Sequence, residues 1–214
     1  MTPYYDDGKG IVIYNGRCEE VMPTLGRFDL LLTDPPYGIG ESRNDNGSRG
    51  KLAQSKQYPI ESWDDCCPQW FADSMPHAAN HIIWGGNYFD LPPQSKWLIW
   101  DKENGKTDFA DCEMAWTDLG GATRMIQHQW HGMLRKGNEE RVHRTQKPLA
   151  LMKWCLSFAP AAKTILDPFM GSGTTLLAAK LEGRSATGIE ISEKYCEIAA
   201  NRLAQGVLDF GGDA

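Results

Sequence analysis

The sequence predicts a single α/β domain built on a mostly parallel sheet, and three observations lead there. Short apolar, β-branched runs recur along the chain, helix-forming segments follow several of them, and two runs end abruptly in chemically distinctive turns. The 214 residues, 41% of them hydrophobic, suffice for one substantial core and are too few for two ordinary domains with a linker.

Seven strands are expected, at 11–14 (IVIY), 29–33 (DLLLT), 81–84 (HIIW), 97–100 (WLIW), 113–117 (EMAWT), 164–167 (TILD) and 186–190 (ATGIE). Helices are expected at 148–158, 174–182 (TTLLAAKLE) and 192–203, with Ser192 as the N-cap of the last. Two stretches depart from this alternation. Residues 41–56 (ESRNDNGSRGKLAQSK) are polar and glycine-bearing, as in a mobile surface loop, and residues 120–145 carry no clean period. Neither an internal repeat nor a low-complexity tract is evident.

A formal net charge of -6 argues against retention on nucleic acid by overall charge, so any phosphate contacts must be local. Six cysteines lack CxxC or Cys/His spacing, which disfavours a zinc site or a disulfide framework; the adjacent Cys66 and Cys67 read as packing residues. His128, His131 and His143 come without a supporting cysteine or carboxylate pattern, and no metal is expected. The amino terminus is polar, and no run approaches the roughly 18 apolar residues of a membrane span. A reducing cytoplasm is the expected location.

Residues 165–175, ILDPFMGSGTT, place a turn with Gly171 and Gly173 between a strand and a helix. Such a turn brings backbone close to a ligand and presents the N–H groups of a helix start. The triphosphate loop requires a GK[ST] ending that is absent, and Leu176 stands where the dinucleotide fingerprint has a third glycine. Glu190 ends the next strand, placed to take ribose hydroxyls. A ligand with a ribose but no pyrophosphate fits, and S-adenosylmethionine is one, with Asp167 set to pair with its ammonium group.

The other distinctive turn is TDPPY, at the end of the apolar run LLL. Read alone it can be a rigid surface turn. If strands 29–33 and 164–167 are neighbours in one parallel sheet, both turns share the ligand crevice at the strands' carboxyl ends. Asp34 and the carbonyl of Pro35 can then accept the two hydrogens of an exocyclic amino group, and Tyr37 offers a face for a planar base flipped out of a duplex.

TDPPY, HRTQKP (143–148) and LDPFMGSGTT, in that order, resemble the β class of amino-group DNA methyltransferases, in which the catalytic motif precedes the cofactor motif. The similarity runs from IYNGRCEEVM through GIE, nearly the whole chain. It implies a Rossmann-like sheet of seven mostly parallel strands with one antiparallel edge strand, circularly permuted motif order and helices on both faces. It implies Asp34, Pro35, Pro36 and Tyr37 as the catalytic motif. Asp167, Pro168, Phe169, Gly171, Ser172, Gly173, Thr174 and Glu190 are implied to hold S-adenosylmethionine, with Thr145 and Lys147 against its methionine end. Relatives commonly carry Gly-Asp where this chain has Gly16-Arg17, and that aspartate helps hold the cofactor adenine.

The expected reaction is methylation of adenine N6 in DNA, since Asp in the catalytic motif favours adenine and Ser is commoner among cytosine N4 relatives. Cytosine N4, an RNA substrate and a non-catalytic DNA-binding subunit are the alternatives. Protein glutamine methyltransferases typically carry Asn at the Asp34 place and the opposite motif order. The whole chain, 1–214, is expected to be one methyltransferase domain, with a short DNA-recognition insertion at about 118–143 and a mobile loop at about 41–56. Phosphate contacts are expected from Arg124, Arg135, Lys136, Arg141 and Arg144, in a stretch with a local excess of positive charge, and from Arg43, Arg49 and Lys51 in the loop. So short an insertion offers few base-edge contacts, which implies a short or relaxed recognition sequence or recognition completed by a second subunit. A homodimer and a companion restriction enzyme are the partners expected beyond DNA.

Overall fold

A computed structural model describes residues 1–37, 75–105, 110–131, 134–135 and 146–205. Arg43, Arg49, Lys51, Cys66, Cys67, Lys136, Arg141, His143, Arg144 and Thr145 lie outside the described residues, as does the loop 41–56.

All seven expected strands are present: β2 (Ile11–Asn15), β3 (Phe28–Thr33), β4 (Ala78–Trp84), β5 (Trp97–Asp101), β6 (Cys112–Thr117), β10 (Thr164–Asp167) and β11 (Ser185–Glu190). Two short strands are added at the edges, β1 (Tyr5–Asp6) and β7 (Arg124–Gln127), and the sheet order is β1-β2-β11-β10-β3-β4-β6-β5-β7. From β2 through β4 every pairing is parallel. An antiparallel strand stands at an edge, as expected, but it is the added β1, paired with β2; among the seven expected strands the antiparallel one is β6, inserted between β4 and β5 and antiparallel to both. Pairing on both sides leaves it no free edge, and Trp84, Trp97 and Trp100 stand opposite its residues. A separate hairpin pairs β8 (Trp130–His131) with β9 (Leu134–Arg135).

Side-chain alternation along the strands builds two apolar layers. On one face Leu30, Leu32, Ile82, Trp84 and Ile165 pack under α2 (Leu149–Leu156), α3 (Thr174–Leu181) and α4 (Glu193–Ala204). On the other, Leu31, Ile83, Leu166 and Ile189 meet Val21 of the short helix α1 (Cys18–Val21), with Met22 and Phe89 beside them. Helices thus cover both faces, as expected. Ser192 stands at the N-cap of α4 without a side-chain cap bond; its backbone N–H donates to Glu190 Oε1 at 2.8 Å instead.

Part of the expected recognition insertion is sheet. Arg124–Gln127 extends the sheet beyond β5, and Trp130 is buried with its indole N–H donating to the Gln146 carbonyl at 2.9 Å. Trp130 is therefore a packing residue. Among the described residues no cluster of metal-ligating side chains occurs, and no helix is long and apolar enough to cross a membrane.

Candidate active site

The chain leaves β3 toward β4 on one side and leaves β10 through α3 toward β11 on the other, so β3 and β10, which pair directly, flank the point where the winding direction changes. Ligands of open α/β sheets bind in the crevice at such a point, beyond the strands' carboxyl ends. Asp34 follows β3, Asp167 ends β10, Glu190 ends β11 and Gly85 follows β4, so four side-by-side strands deliver the two sequence motifs to one edge. The Thr33 hydroxyl donates to Asp167 Oδ1 at 2.7 Å and ties the motifs together.

Asp34 is about a quarter exposed, its side chain retaining 23% of its accessible surface. Its Oδ1 accepts from the Tyr37 hydroxyl and its Oδ2 from the Lys147 ammonium. Burial pushes the Asp34 carboxyl above the usual carboxylate range, and the Lys147 charge opposes that. Lys147 also pairs with Glu113 of β6 at 3.0 Å, and Glu113 in turn pairs with Lys102, just past β5. Burial raises and the two lysines lower the Glu113 carboxyl, the lysines prevailing, so that it falls to about 2. Burial would discharge Lys147, but Asp34 and Glu113 hold its ammonium above the ordinary lysine range.

The Tyr37 ring stacks on Tyr88, centroids 4.9 Å apart and planes 17° from parallel. A glycine beneath makes this possible: Gly85 has φ +65°, and a Cβ there would fall 2.1 Å from Tyr37 Cε1. Pro35 and Pro36 fix the backbone between Asp34 and Tyr37.

At the neighbouring turn Asp167 is buried at 3% exposure and none of the ion pairs among the described residues involves it. Its Oδ1 accepts from the Thr33 hydroxyl and, at 3.2 Å, from the Phe169 N–H, and burial still lifts the carboxyl to about 6. A buried carboxylate without a cation suits a ligand that brings one, as the α-amino group of S-adenosylmethionine does. Pro168 is buried and Phe169 half-buried against the α1 side of the sheet. Glu190 accepts from the Gly171 N–H at 3.1 Å and from Ser192, which fixes the carboxylate at the strand end where ribose hydroxyls would approach. These residues fit the cofactor.

Gly171 and Gly173 adopt φ of +51° and +77°, and a Cβ on Gly173 would stand 2.8 Å from Ala199 Cβ of α4. The second glycine is thus required by helix packing, not by ligand approach alone. Ser172 and Thr174 are held by Arg202 of α4, whose guanidinium donates to the Ser172 carbonyl at 2.6 Å and to both hydroxyls. Arg17 is exposed and pairs with Glu19.

Of the basic residues expected on DNA, Arg124 opens β7 in register with Leu98, at the strand end opposite the crevice. The fold does not bring it to Asp34. Arg135 lies on β9. Sequence reasoning missed Glu113, Lys102 and Tyr88, and it assigned Lys147 to the cofactor, whereas the ammonium rests on Asp34. An acid in the aromatic strand CEMAWT was the available signal for Glu113.

Comparison with known proteins identifies the family. The model of a DNA methylase family, that of the N6 and N4 methyltransferases, matches residues 79–201, more than half of the chain. The chain belongs to this family. It is 43% identical to the Type II methyltransferase M.HinfI of Haemophilus influenzae, over 90% of this chain and 68% of the relative. It is 40% identical to the Type II methyltransferase M2.LlaDCHI of Lactococcus lactis subsp. cremoris, over 95% of this chain and 93% of the relative. In fold it is similar to the M1.HpyAVI–SAM complex, with TM-score 0.54 and 23% identity over 89% of this chain and 98% of that one. The PvuII DNA methyltransferase, described as cytosine-N4-specific, gives TM-score 0.57 at 15% identity over 95% of this chain and 88% of that one. The chain is a DNA methyltransferase of the N6/N4 class that uses S-adenosylmethionine.

Proposed function

We propose that this enzyme methylates the N6 amino group of adenine in DNA, with Asp34 as the acceptor that orients that group. The observation that supports the reading best is the juxtaposition, across the paired strands β3 and β10, of the Asp34 carboxylate with that of Asp167, which has no cationic partner among the described residues. S-adenosylmethionine, when bound, supplies a methyl group on a sulfonium: the N–CH3 bond forms as the S–CH3 bond breaks, the sulfur leaves as a neutral thioether and the amino nitrogen releases one proton to solvent.

An exocyclic amino nitrogen is a poor nucleophile because its lone pair is delocalised into the ring. Asp34 and the Pro35 carbonyl accept its two N–H bonds and bend it toward tetrahedral geometry, and the acceptors are in place before the base arrives. Tyr37, backed by Tyr88, offers its ring to the flipped base at little reorganisation cost. Asp167 and Glu190 hold the cofactor's ammonium and ribose, and the Gly171–Gly173 turn passes beneath.

The chain reads as one methyltransferase domain whose phosphate contacts come from the basic residues Arg135, Lys136, Arg141 and Arg144 and from Arg43, Arg49 and Lys51 of the loop. Its recognition sequence is short or relaxed. The Type II relatives support a companion endonuclease. A homodimer would complete recognition, and the cytoplasm is the proposed location. The test is nucleoside analysis of unmethylated DNA after treatment with the full chain and labelled cofactor. Label in N6-methyladenine is expected; label confined to N4-methylcytosine contradicts the adenine assignment.

A further inference from the structure

The geometry points to Lys147 as a positioning residue that keeps Asp34 an ionised hydrogen-bond acceptor, with Glu113 and Lys102 forming the charged frame that fixes the ammonium. The inference rests on the reading of Asp34 given above and adds a residue and a chain of charge to it. Lys147 enters from the segment before α2, Glu113 from β6 and Lys102 from just past β5, so three parts of the fold form one chain of charge that ends on the Asp34 carboxylate.

Lys147 is 9% exposed, with its ammonium 5.9 Å from the centroids of both Tyr37 and Trp84. A buried lysine bound to a single carboxylate would serve as a simple ion pair; here the ammonium is shared between Asp34 and Glu113. Among the described residues the groups facing Asp34 are Lys147 and Tyr37, which favour its charge, and Glu113 and Asp167, which disfavour it. Without Lys147, a carboxylate among two other acids and a desolvating wall would take up a proton. The neutral acid is a weaker acceptor, since hydrogen bonds to an ionised oxygen are about twice as strong as neutral ones.

The sign follows directly. Methyl transfer requires ionised Asp34, so activity falls as pH drops through its pKa, and loss of Lys147 moves that acid limb to higher pH. An opposite charge this close is worth about one to three pH units. Single-turnover methylation of a DNA duplex at saturating S-adenosylmethionine, measured against pH, tests it. Lys147→Met and Lys147→Gln are both expected to move the acid limb up by about one to three units, and Lys147→Arg to return it to the wild-type position. Glu113→Gln breaks the same cluster but removes a negative charge, so its limb must not move up.

An acid limb in Lys147→Met and Lys147→Gln that coincides with wild type overturns the inference. So does a rise in the cofactor KM with an unchanged single-turnover rate, which would return Lys147 to the cofactor. Asp34→Ala, run in parallel, separates this failure from failure of the underlying reading: full turnover there sinks the role of Asp34 itself.

Discussion

Replacing Gly85 by alanine perturbs the catalytic motif without replacing any of its residues. The added Cβ would lie 2.1, 2.5 and 2.6 Å from Cε1, Cζ and Cδ1 of Tyr37, well inside contact distance. The ring cannot simply rotate away, because its hydroxyl is bonded to Asp34 and its face is stacked on Tyr88. Two costs add. A left-handed backbone with a Cβ costs roughly 1–2 kcal/mol, and forcing extra volume into a packed site typically costs about 1–3 kcal/mol more. The expected loss of stability is about 2–5 kcal/mol, or roughly 4–20 °C in unfolding midpoint for a chain of this size.

Gly105 provides the control, since it has the same φ of +65° and open space where its Cβ would be. Gly105→Ala should show the backbone cost alone. Calorimetric unfolding of both variants gives the difference, and single-turnover methylation reads whether a displaced Tyr37 carries Asp34 out of position. Gly85→Ala with the midpoint of Gly105→Ala and the wild-type methylation rate would refute the argument that Gly85 fixes the ring.

Two further outcomes follow from the charge and hydrogen bonding of the site. The Asp167 carboxyl, lifted by burial to about 6 in the folded chain, binds a proton that the unfolded chain releases near pH 4. Stability of the cofactor-free enzyme should therefore fall as pH rises through that interval, by up to about 3 kcal/mol, and the dependence should vanish in Asp167→Asn. Binding of S-adenosylmethionine should tighten over the same interval with proton release in calorimetry, and pH-independent binding would remove Asp167 from the cofactor site. Tyr37→Phe keeps the stacked ring and loses the bond to Asp34, costing about 1–2 kcal/mol of transition-state stabilisation, whereas Tyr37→Ala should lose more; equal effects would mean the ring does not hold the base.

How much of this was legible in the sequence differed by element. Strands such as DLLLT and TILD announce themselves because buried parallel strands are continuous apolar runs, and the turns closing them carry their chemistry in adjacent residues. Arg124–Gln127 gave no such signal, since a four-residue edge strand with three exposed side chains has neither alternation nor bulk. Glu113 was read only as the start of a strand. Its meaning depends on register, which sets it opposite Trp100 and two residues before Ala115, the partner of Trp84. The Lys147 contact with Asp34 spans 113 positions and depends on where the segment before α2 returns to the sheet, which no local pattern encodes. The place of β6 inside the sheet was likewise hidden, because strand order is a property of the whole chain.

The most direct test of the account is single-turnover methylation by Asp34→Ala, with S-adenosylmethionine binding measured on the same preparation. The account predicts that label transfer to DNA adenine is abolished while cofactor affinity stays within about threefold of wild type, since Asp167 and Glu190 are intact. Transfer at the wild-type rate would contradict it.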